Sequence, residues 1–334
     1  MHLSEVKIEV TYKCNLNCWH CSSEASSENF YELSLDQCKQ IIFDSVELGA
    51  NQIAFSGGEP FLWPHLYDSI LYAKSLGCKV FVYTNGCSKD VADKISSYSP
   101  NLIDKIIFSI YGSTDELHSR VTGKPGSLHE TLLTASLVFE QHINIEAHFV
   151  PFKINYFDLE NVSSFLSSRN FSGLSILRFV PQGRGVRNGD MMLGKKENLE
   201  LKSTLGILAK TNNLINIRVG SPYNFLLTHE YVKCTAGATK ITVKPNLDVI
   251  PCDAFKAMDF SGVDKFENNL QYNSLRSIFL KSNFFNMIRS LSNNIPAECE
   301  KCNRLNLCGS GCLAQKILYS NISLPSRDPL CLLD

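Results

Sequence analysis

The chain has 334 residues, enough for about two domains at roughly 150 residues each. Hydrophobic residues make up 44% and charged residues 19%, which supplies a full core and excludes a disordered chain. With 32 Lys plus Arg against 33 Asp plus Glu, the net charge of -1 argues against bulk binding to nucleic acid or to an anionic membrane, since both need concentrated positive charge.

Short apolar runs alternate with helix-period stretches from Lys7 to Val180. Strands are expected over 7–12, 52–56, 79–84, 105–110, 144–150 and 174–180. The first helix is expected from Ser34, where Ser34 and Gln37 fit a capping box, to Leu48 before Gly49. Further helices fit 65–76, 89–97, 127–141 and 156–168. Six strands alternating with helices imply parallel pairing and right-handed crossovers. The expected fold is therefore α/β, a partial (β/α)6 barrel over residues 1–187.

Beyond Arg187 the alternation breaks. A connecting region, 188–230, holds a helix over 197–210 and a short strand at 216–220. Residues 231–334 form a small cysteine-rich α+β unit. Within it TKITV and LDVIP flank Lys244-Pro245-Asn246 as a hairpin, and one helix is expected over 274–290. The tail from 296 carries five cysteines and little periodicity, so its order is expected to come from bound metal rather than burial.

The opening MHLSEVKIEV has no signal-peptide core and no apolar run reaches the length of a membrane span, so a cytoplasmic protein is expected. Thirteen cysteines, an odd number without an export signal, speak against a disulfide scaffold. Clustered, reduced cysteines point instead to metal.

The segment YKCNLNCWHC follows the first strand and carries Cys14, Cys18 and Cys21. Three thiolates can hold three irons of a cubane and leave a fourth iron open, whereas electron-transfer clusters usually have four cysteine ligands. A zinc knuckle completed by His20, or three unrelated thiols, is the alternative. The second strand ends in Ser56-Gly57-Gly58-Glu59-Pro60, where two glycines allow close backbone approach and Glu59 offers a carboxylate to an ammonium group.

On the cysteine triplet and the GGEP turn the sequence resembles the radical SAM superfamily. The resemblance implies a 4Fe–4S cluster on Cys14, Cys18 and Cys21, whose fourth iron is chelated by S-adenosylmethionine (SAM) through its amino and carboxylate groups. It places His20 beside the adenine and Ser56, Gly57, Gly58 and Glu59 at the methionine amino group. Thr84-Asn85-Gly86 and Ser109 match further strand ends, and Arg120 stands where some relatives bind the SAM carboxylate. Relatives often have Ser-x-Asp-Gly where this chain has Ser109-Ile110-Tyr111-Gly112. The implied chemistry is reductive cleavage of SAM to a 5′-deoxyadenosyl radical that abstracts a substrate hydrogen atom.

Near the end, Cys299, Cys302, Cys308 and Cys312 are spaced C-x2-C-x5-C-x3-C, followed by Cys331 and preceded by Cys234 and Cys252. A zinc ribbon is one local reading, but seven cysteines do not divide into zinc tetrads. This part resembles the SPASM extension of radical SAM enzymes. The resemblance implies two auxiliary Fe–S clusters of the 4Fe–4S type, with Cys299, Cys302, Cys308 and Cys331 on the outer one and Cys234, Cys252 and Cys312 on the inner one. Leu247 stands where that pattern usually has Gly. Asp253 matches a substrate base in related maturases, the alternative being a hairpin-end cap. Cys87, after Thr84-Asn85-Gly86, is a candidate hydrogen-atom donor, while Cys38 and Cys78 read as core residues.

The resemblance implies either a ribosomally made peptide as substrate, crosslinked, epimerised or oxidised, or a small molecule such as a sugar, nucleoside or antibiotic intermediate. The first strand lies close to Met1, so a peptide is expected to need a separate recognition protein. A reductase such as flavodoxin or ferredoxin is the implied electron source. From other classes, a non-catalytic Fe–S carrier and a zinc-stabilised interaction module are the alternatives.

Overall fold

The computed structural model describes residues 1–99, 101–210, 215–220, 223, 226, 234–256, 264, 266–319 and 326–332. Six parallel strands follow one another across one sheet: β1 (Glu5–Thr11), β2 (Gln52–Gly57), β3 (Lys79–Thr84), β4 (Lys105–Ser109), β5 (Asn144–Phe149) and β6 (Gly173–Ile176). β7 (Asn216–Val219) extends the β6 edge. β8 (Lys240–Val243) comes back beside β1, with Glu5 paired to Lys240, and turns into antiparallel β9 (Val249–Ile250). The order is β7-β6-β5-β4-β3-β2-β1-β8-β9, and among the described residues no pairing closes it, so the barrel is partial. The expected hairpin thus joins the barrel sheet, because its first strand satisfies the free edge of β1.

The period-two pattern of β1 gives it two different faces. Val6, Ile8 and Val10 pack into the main core with Cys38, Ile41 and Ile42 of α1 (Leu35–Glu47), which the Ser34–Gln37 capping box opens. On the other face Glu5, Lys7 and Glu9 meet charged partners, described below. α2 (Leu66–Ser75) and α3 (Lys89–Ser96) form as expected. α4 (Asp115–Thr122) was not expected, although Thr114 caps it and Gly123 ends it at φ +76°. α5 (Ser127–Glu140), α6 (Leu159–Ser167) and α7 (Lys195–Leu208) complete the outer layer.

The single helix expected over 274–290 is two, α8 (Leu275–Lys281) and α9 (Asn283–Asn293). Ser282 leaves helical geometry at ψ 134° and caps α9 by accepting from the Phe285 N–H. The buried pairs Ile278/Phe279 and Phe284/Phe285 are six residues apart, a phase slip that one straight helix cannot present to one core. In the tail α10 (Ala297–Glu300), α11 (Leu305–Cys308) and α12 (Leu313–Tyr319) are short. No helix among the described residues is long and apolar enough to cross a membrane.

Candidate active site and cysteine clusters

The ends of β1 to β4 surround an open cavity of about 200 Å3. The loop after β1 lines it with Cys14, Cys18 and Cys21. Burial pushes the Cys14 thiol up to about 12, while the Leu16 N–H, 3.5 Å from Sγ, pulls it back. Burial also raises the Cys18 thiol well above its ordinary value, and Cys14 and Cys21 add to the shift by like charge. Cys14 and Cys18, buried in this way, need a cation to exist as thiolates. Among the described residues, no three His, Cys, Asp or Glu side chains converge as the ligands of a single ion would. The three thiols instead line one cavity together.

Facing the thiols is the β2 end. Gly57 has φ +136°, and a Cβ there would lie 2.3 Å from the Thr11 carbonyl oxygen. A Cβ at Gly58 would lie 2.2 Å from the Lys13 carbonyl oxygen. Both glycines are thus imposed by the start of the cysteine loop, which accepts Gly58 N–H at Thr11 (2.7 Å) and Glu59 N–H at Lys13 (2.9 Å). Ser56, Gly57, Gly58, Thr84, Asn85 and Ser109 line the cavity.

Glu59 does not present its carboxylate to a ligand as the sequence led us to expect. The side chain is fully buried and accepts from the Thr84 hydroxyl (2.9 Å), the Asn85 N–H (2.9 Å) and the Phe61 N–H (3.2 Å). Burial pushes its carboxyl up to about 7 against the pull of those donors. Glu59 therefore braces the β2 and β3 ends against each other.

His20 lines the cavity, edge-on to Tyr111 at 4.8 Å and tilted against Phe152 at 5.2 Å. Burial, reinforced by Arg184, lowers its pKa to about 3, so the ring is neutral. Its Nδ1 is buried without a hydrogen-bond partner among the described residues. Tyr111, where relatives often have Asp, instead closes an aromatic wall and is buried.

Arg120 is exposed on α4 and does not line the cavity. The arginine that does is Arg184, which the sequence reading missed. Its Nε donates to the Cys18 carbonyl (3.0 Å), its Nη1 to Ala25 (2.8 Å) and its backbone N–H to Cys21 (3.1 Å). Gly183 at φ +52° makes this approach possible, since a Cβ there would lie 2.7 Å from the Cys21 and Ser22 oxygens. Gly183 was the available signal.

The barrel lumen beneath carries paired charges. Lys7 Nζ meets Asp253 at 2.5 Å, Lys256 meets Glu9 at 2.6 Å and Lys240 meets Glu5 at 2.6 Å. Lys256, also a cavity-lining residue, donates to Ser23 at 3.0 Å. Burial alone would raise the Asp253 carboxyl, but Lys7, Lys256 and Lys240 outweigh it and hold it well below the usual carboxylate range. So acidified a carboxylate is a weak base, and its geometry is that of an ion-pair anchor. Cys87 is fully buried and not part of the cavity lining. Its Sγ faces Glu130 (3.3 Å) and Lys124 (3.5 Å), which gives a hydrogen-donor role no support.

Seven of the remaining cysteines lie in the C-terminal part. Burial raises the Cys252 thiol well above its ordinary value, and the nearby Cys234 and Cys312 thiols raise it further. The turn before Cys252 places Leu247 at φ +69°, the left-handed conformation for which glycine is the usual choice. Cys299, Cys302, Cys308 and Cys331 line a second, smaller cavity of about 40 Å3. Cys38 and Cys78 are buried in the main core.

Residues 8–166 match the family model of the radical SAM superfamily. The AdoMet-dependent heme synthase of Oleidesulfovibrio alaskensis is 23% identical over 97% of this chain and 85% of that protein. The PqqA peptide cyclase of Ruegeria pomeroyi is also 23% identical, again over 97% and 85%. Streptococcus suis SuiB, solved bound to its precursor peptide SuiA, superposes with a TM-score of 0.79 at 18% identity, covering 99% of this chain and 76% of SuiB. The signature domain, the similarity along the chain and the partial barrel agree: residues 8–166 form a radical SAM domain, which implies a 4Fe–4S cluster and S-adenosylmethionine, and the chain along its length is similar to radical SAM enzymes of SPASM type.

Proposed function

We propose that this enzyme modifies a ribosomally made peptide, with Cys14, Cys18 and Cys21 holding the 4Fe–4S cluster and the adjoining cavity seating SAM. The observation that carries this reading is the cysteine loop facing, across one cavity, a turn whose two glycines are forced by close backbone approach. When bound, cluster and SAM together supply abstraction of a hydrogen atom from an unactivated C–H bond.

The chain's own residues bind, orient and exclude water. The backbone of Ser56, Gly57 and Gly58 takes the methionine amino group, with Thr84, Asn85 and Ser109 around it. Neutral His20 stands beside the adenine and offers its buried Nδ1, which has no hydrogen-bond partner among the described residues. Arg184 spends Nε and Nη1 on the loop carbonyls, and its remaining nitrogen is assigned to the SAM carboxylate in place of Arg120. The aromatic wall of Trp19, Tyr111, Phe152 and Phe179 keeps that side of the cavity dry.

Residues 1–187 then form the SAM-handling part, 188–230 a connection and 231–334 the auxiliary part, within one shared sheet. Cys234, Cys252 and Cys312 hold an inner auxiliary cluster, and Cys299, Cys302, Cys308 and Cys331 an outer one. Asp253 anchors the inner cysteine turn to Lys7 rather than acting as a base. Electrons come from a flavodoxin- or ferredoxin-type reductase in the cytoplasm. The peptide assignment follows the names of the cyclase and of SuiB with its precursor; the heme synthase supports a small-molecule substrate as the second reading.

The test is anaerobic reconstitution with iron and sulfide, followed by SAM and dithionite, with 5′-deoxyadenosine quantified. Wild type is expected to make it and a Cys14→Ala, Cys18→Ala, Cys21→Ala variant none. Arg184→Met is expected to weaken SAM binding about tenfold with the cluster retained. A fully loaded wild type that neither binds SAM nor cleaves it would sink the reading. A short precursor peptide that raises 5′-deoxyadenosine yield decides for the peptide; stimulation by a sugar, nucleoside or tetrapyrrole alone decides against it.

A further inference from the structure

Among the carboxylates of the chain, Asp328 has an unusual set of partners. It lies between Cys312 and Cys331 in sequence, which belong to different cysteine sets. Its Oδ2 accepts the Cys312 N–H at 2.8 Å, and its Oδ1 accepts the Leu330 N–H at 2.9 Å. Its backbone carbonyl accepts the Cys331 N–H, also at 2.9 Å. The same carboxylate receives Arg178 in a two-pronged pair, Nη1 to Oδ2 at 2.7 Å and Nη2 to Oδ1 at 2.8 Å. The two side chains are only 1% and 2% exposed.

Arg178 stands in the segment that follows β6. That segment makes two further ties to the cysteine-rich part: Phe179 accepts from Gln315 of α12 at 3.1 Å, and Gln182 donates to the Asp253 carbonyl beside Cys252 at 3.2 Å. The chain between Cys308 and Cys312 bends to suit. Gly309, Ser310 and Gly311 are consecutive left-handed residues at φ +59°, +63° and +86°. A Cβ on Gly311 would lie 2.2 Å from Asp328 Oδ2. The turn that separates an outer-set from an inner-set cysteine is therefore shaped around this carboxylate.

We propose that Asp328, clamped by Arg178, is a positioning residue shared by both C-terminal cysteine sets, so that they load together and stay fixed to the barrel. The proposal rests on the auxiliary-cluster reading above. The carboxylate fixes the backbone at Cys312 directly and, through the Leu330 N–H, the turn whose next residue is Cys331, so losing it loosens a ligand of each set at once. Hydrogen bonds beside ligating thiolates also tune a cluster. The clamp should therefore leave a spectroscopic mark that a purely structural ion pair would not.

The experiment uses the Cys14→Ala, Cys18→Ala, Cys21→Ala protein as background, reconstituted anaerobically, with iron per chain and the reduced EPR spectrum as readouts. Two loaded auxiliary sites give about eight irons per chain. Asp328→Asn keeps the size but turns one acceptor into a donor facing Arg178. In this background it is expected to lose more than about half of the iron, with altered EPR lines in what remains. Should Asp328→Asn not melt cooperatively as apoprotein, Arg178→Met with Asp328→Leu removes both buried charges and serves in its place. Full loading with an unchanged spectrum, or loss of only one set, would overturn the proposal. A background that binds no iron would sink the auxiliary-cluster reading itself, and the proposal with it.

Discussion

The first cysteine loop and the C-terminal cysteines present their thiols on different supports. The first loop is held by ordinary folding. Its backbone pairs with itself and with its surroundings, as in Cys14 N–H to Ser26 (2.9 Å) and Ser26 N–H to Tyr12 (3.1 Å), and the β2 end braces it. The C-terminal cysteines sit on turns and on helices of four residues, α10 and α11. Among the described residues beyond 295, the buried hydrophobic ones are Cys299, Cys312, Ala314 and Leu330, and two of these are cysteines. So little apolar surface does not offset the entropy of ordering that stretch. One region shapes a site before anything binds; the other, on the auxiliary-cluster reading proposed above, gains its shape from what it binds.

Chelation tests that contrast most strongly. Stripping metal from the loaded protein should speed limited proteolysis within 296–332 by at least about tenfold and within 8–166 by less than about twofold. Mass spectrometry of the fragments reads both rates, and equal protection in the two regions would dissolve the distinction. Gly58→Ala attacks the preformed side. Its methyl group must displace the Lys13 carbonyl, at a cost of about 3 to 4 kcal/mol, and SAM affinity should fall with it. Calorimetry should show the lower melting temperature even in apoprotein.

Glu59→Leu strands the Thr84, Asn85 and Phe61 donors in a dry site, with an expected loss of about 2 to 3 kcal/mol. Glu59→Gln should lose about 1 kcal/mol, because an amide oxygen still accepts. Denaturant titration separates the two, and equal losses would mean that the hydrogen bonds are not what Glu59 contributes.

The smallest effect concerns His118, whose Nδ1 accepts the Tyr111 N–H at 3.2 Å. Burial lowers its pKa from 6.5 to about 4. Since the unfolded chain takes up the proton first, stability is full above about pH 6.5 and falls as pH drops toward 4, by at most about 1.4 kcal/mol per pH unit. His118→Asn should flatten the slope in that window and leave it unchanged above pH 7.

The strands, the capping box at Ser34 and the spacing of the cysteines are local or periodic features, and they were legible in the sequence. Glu59 was misread because its direction depends on Thr84 and Asn85, which reach it only through the parallel pairing of β2 with β3. Arg184 lies in a stretch without periodicity, and its partners are backbone carbonyls more than 150 residues away. Asp253 was read as a base, from the resemblance, or as a hairpin-end cap; its lysine partners come from β1, from β8 and from its own turn, and only the fold collects them. α4 had its signals, Thr114 and Gly123, but eight residues give too few turns for an apolar stripe to stand out.

The return of β8 to β1 also bears on how the chain is made. Glu5 pairs with Gln52 on one side and with Lys240 on the other. While the ribosome works from β2 to β8, the outer edge of β1 has no strand to pair with. At roughly 5 to 20 residues per second that interval lasts on the order of ten to forty seconds. An uncovered edge invites pairing with another nascent chain. Lys7 and Glu9, charges set into this strand, discourage such pairing until their own partners, Asp253 and Lys256, have been synthesised.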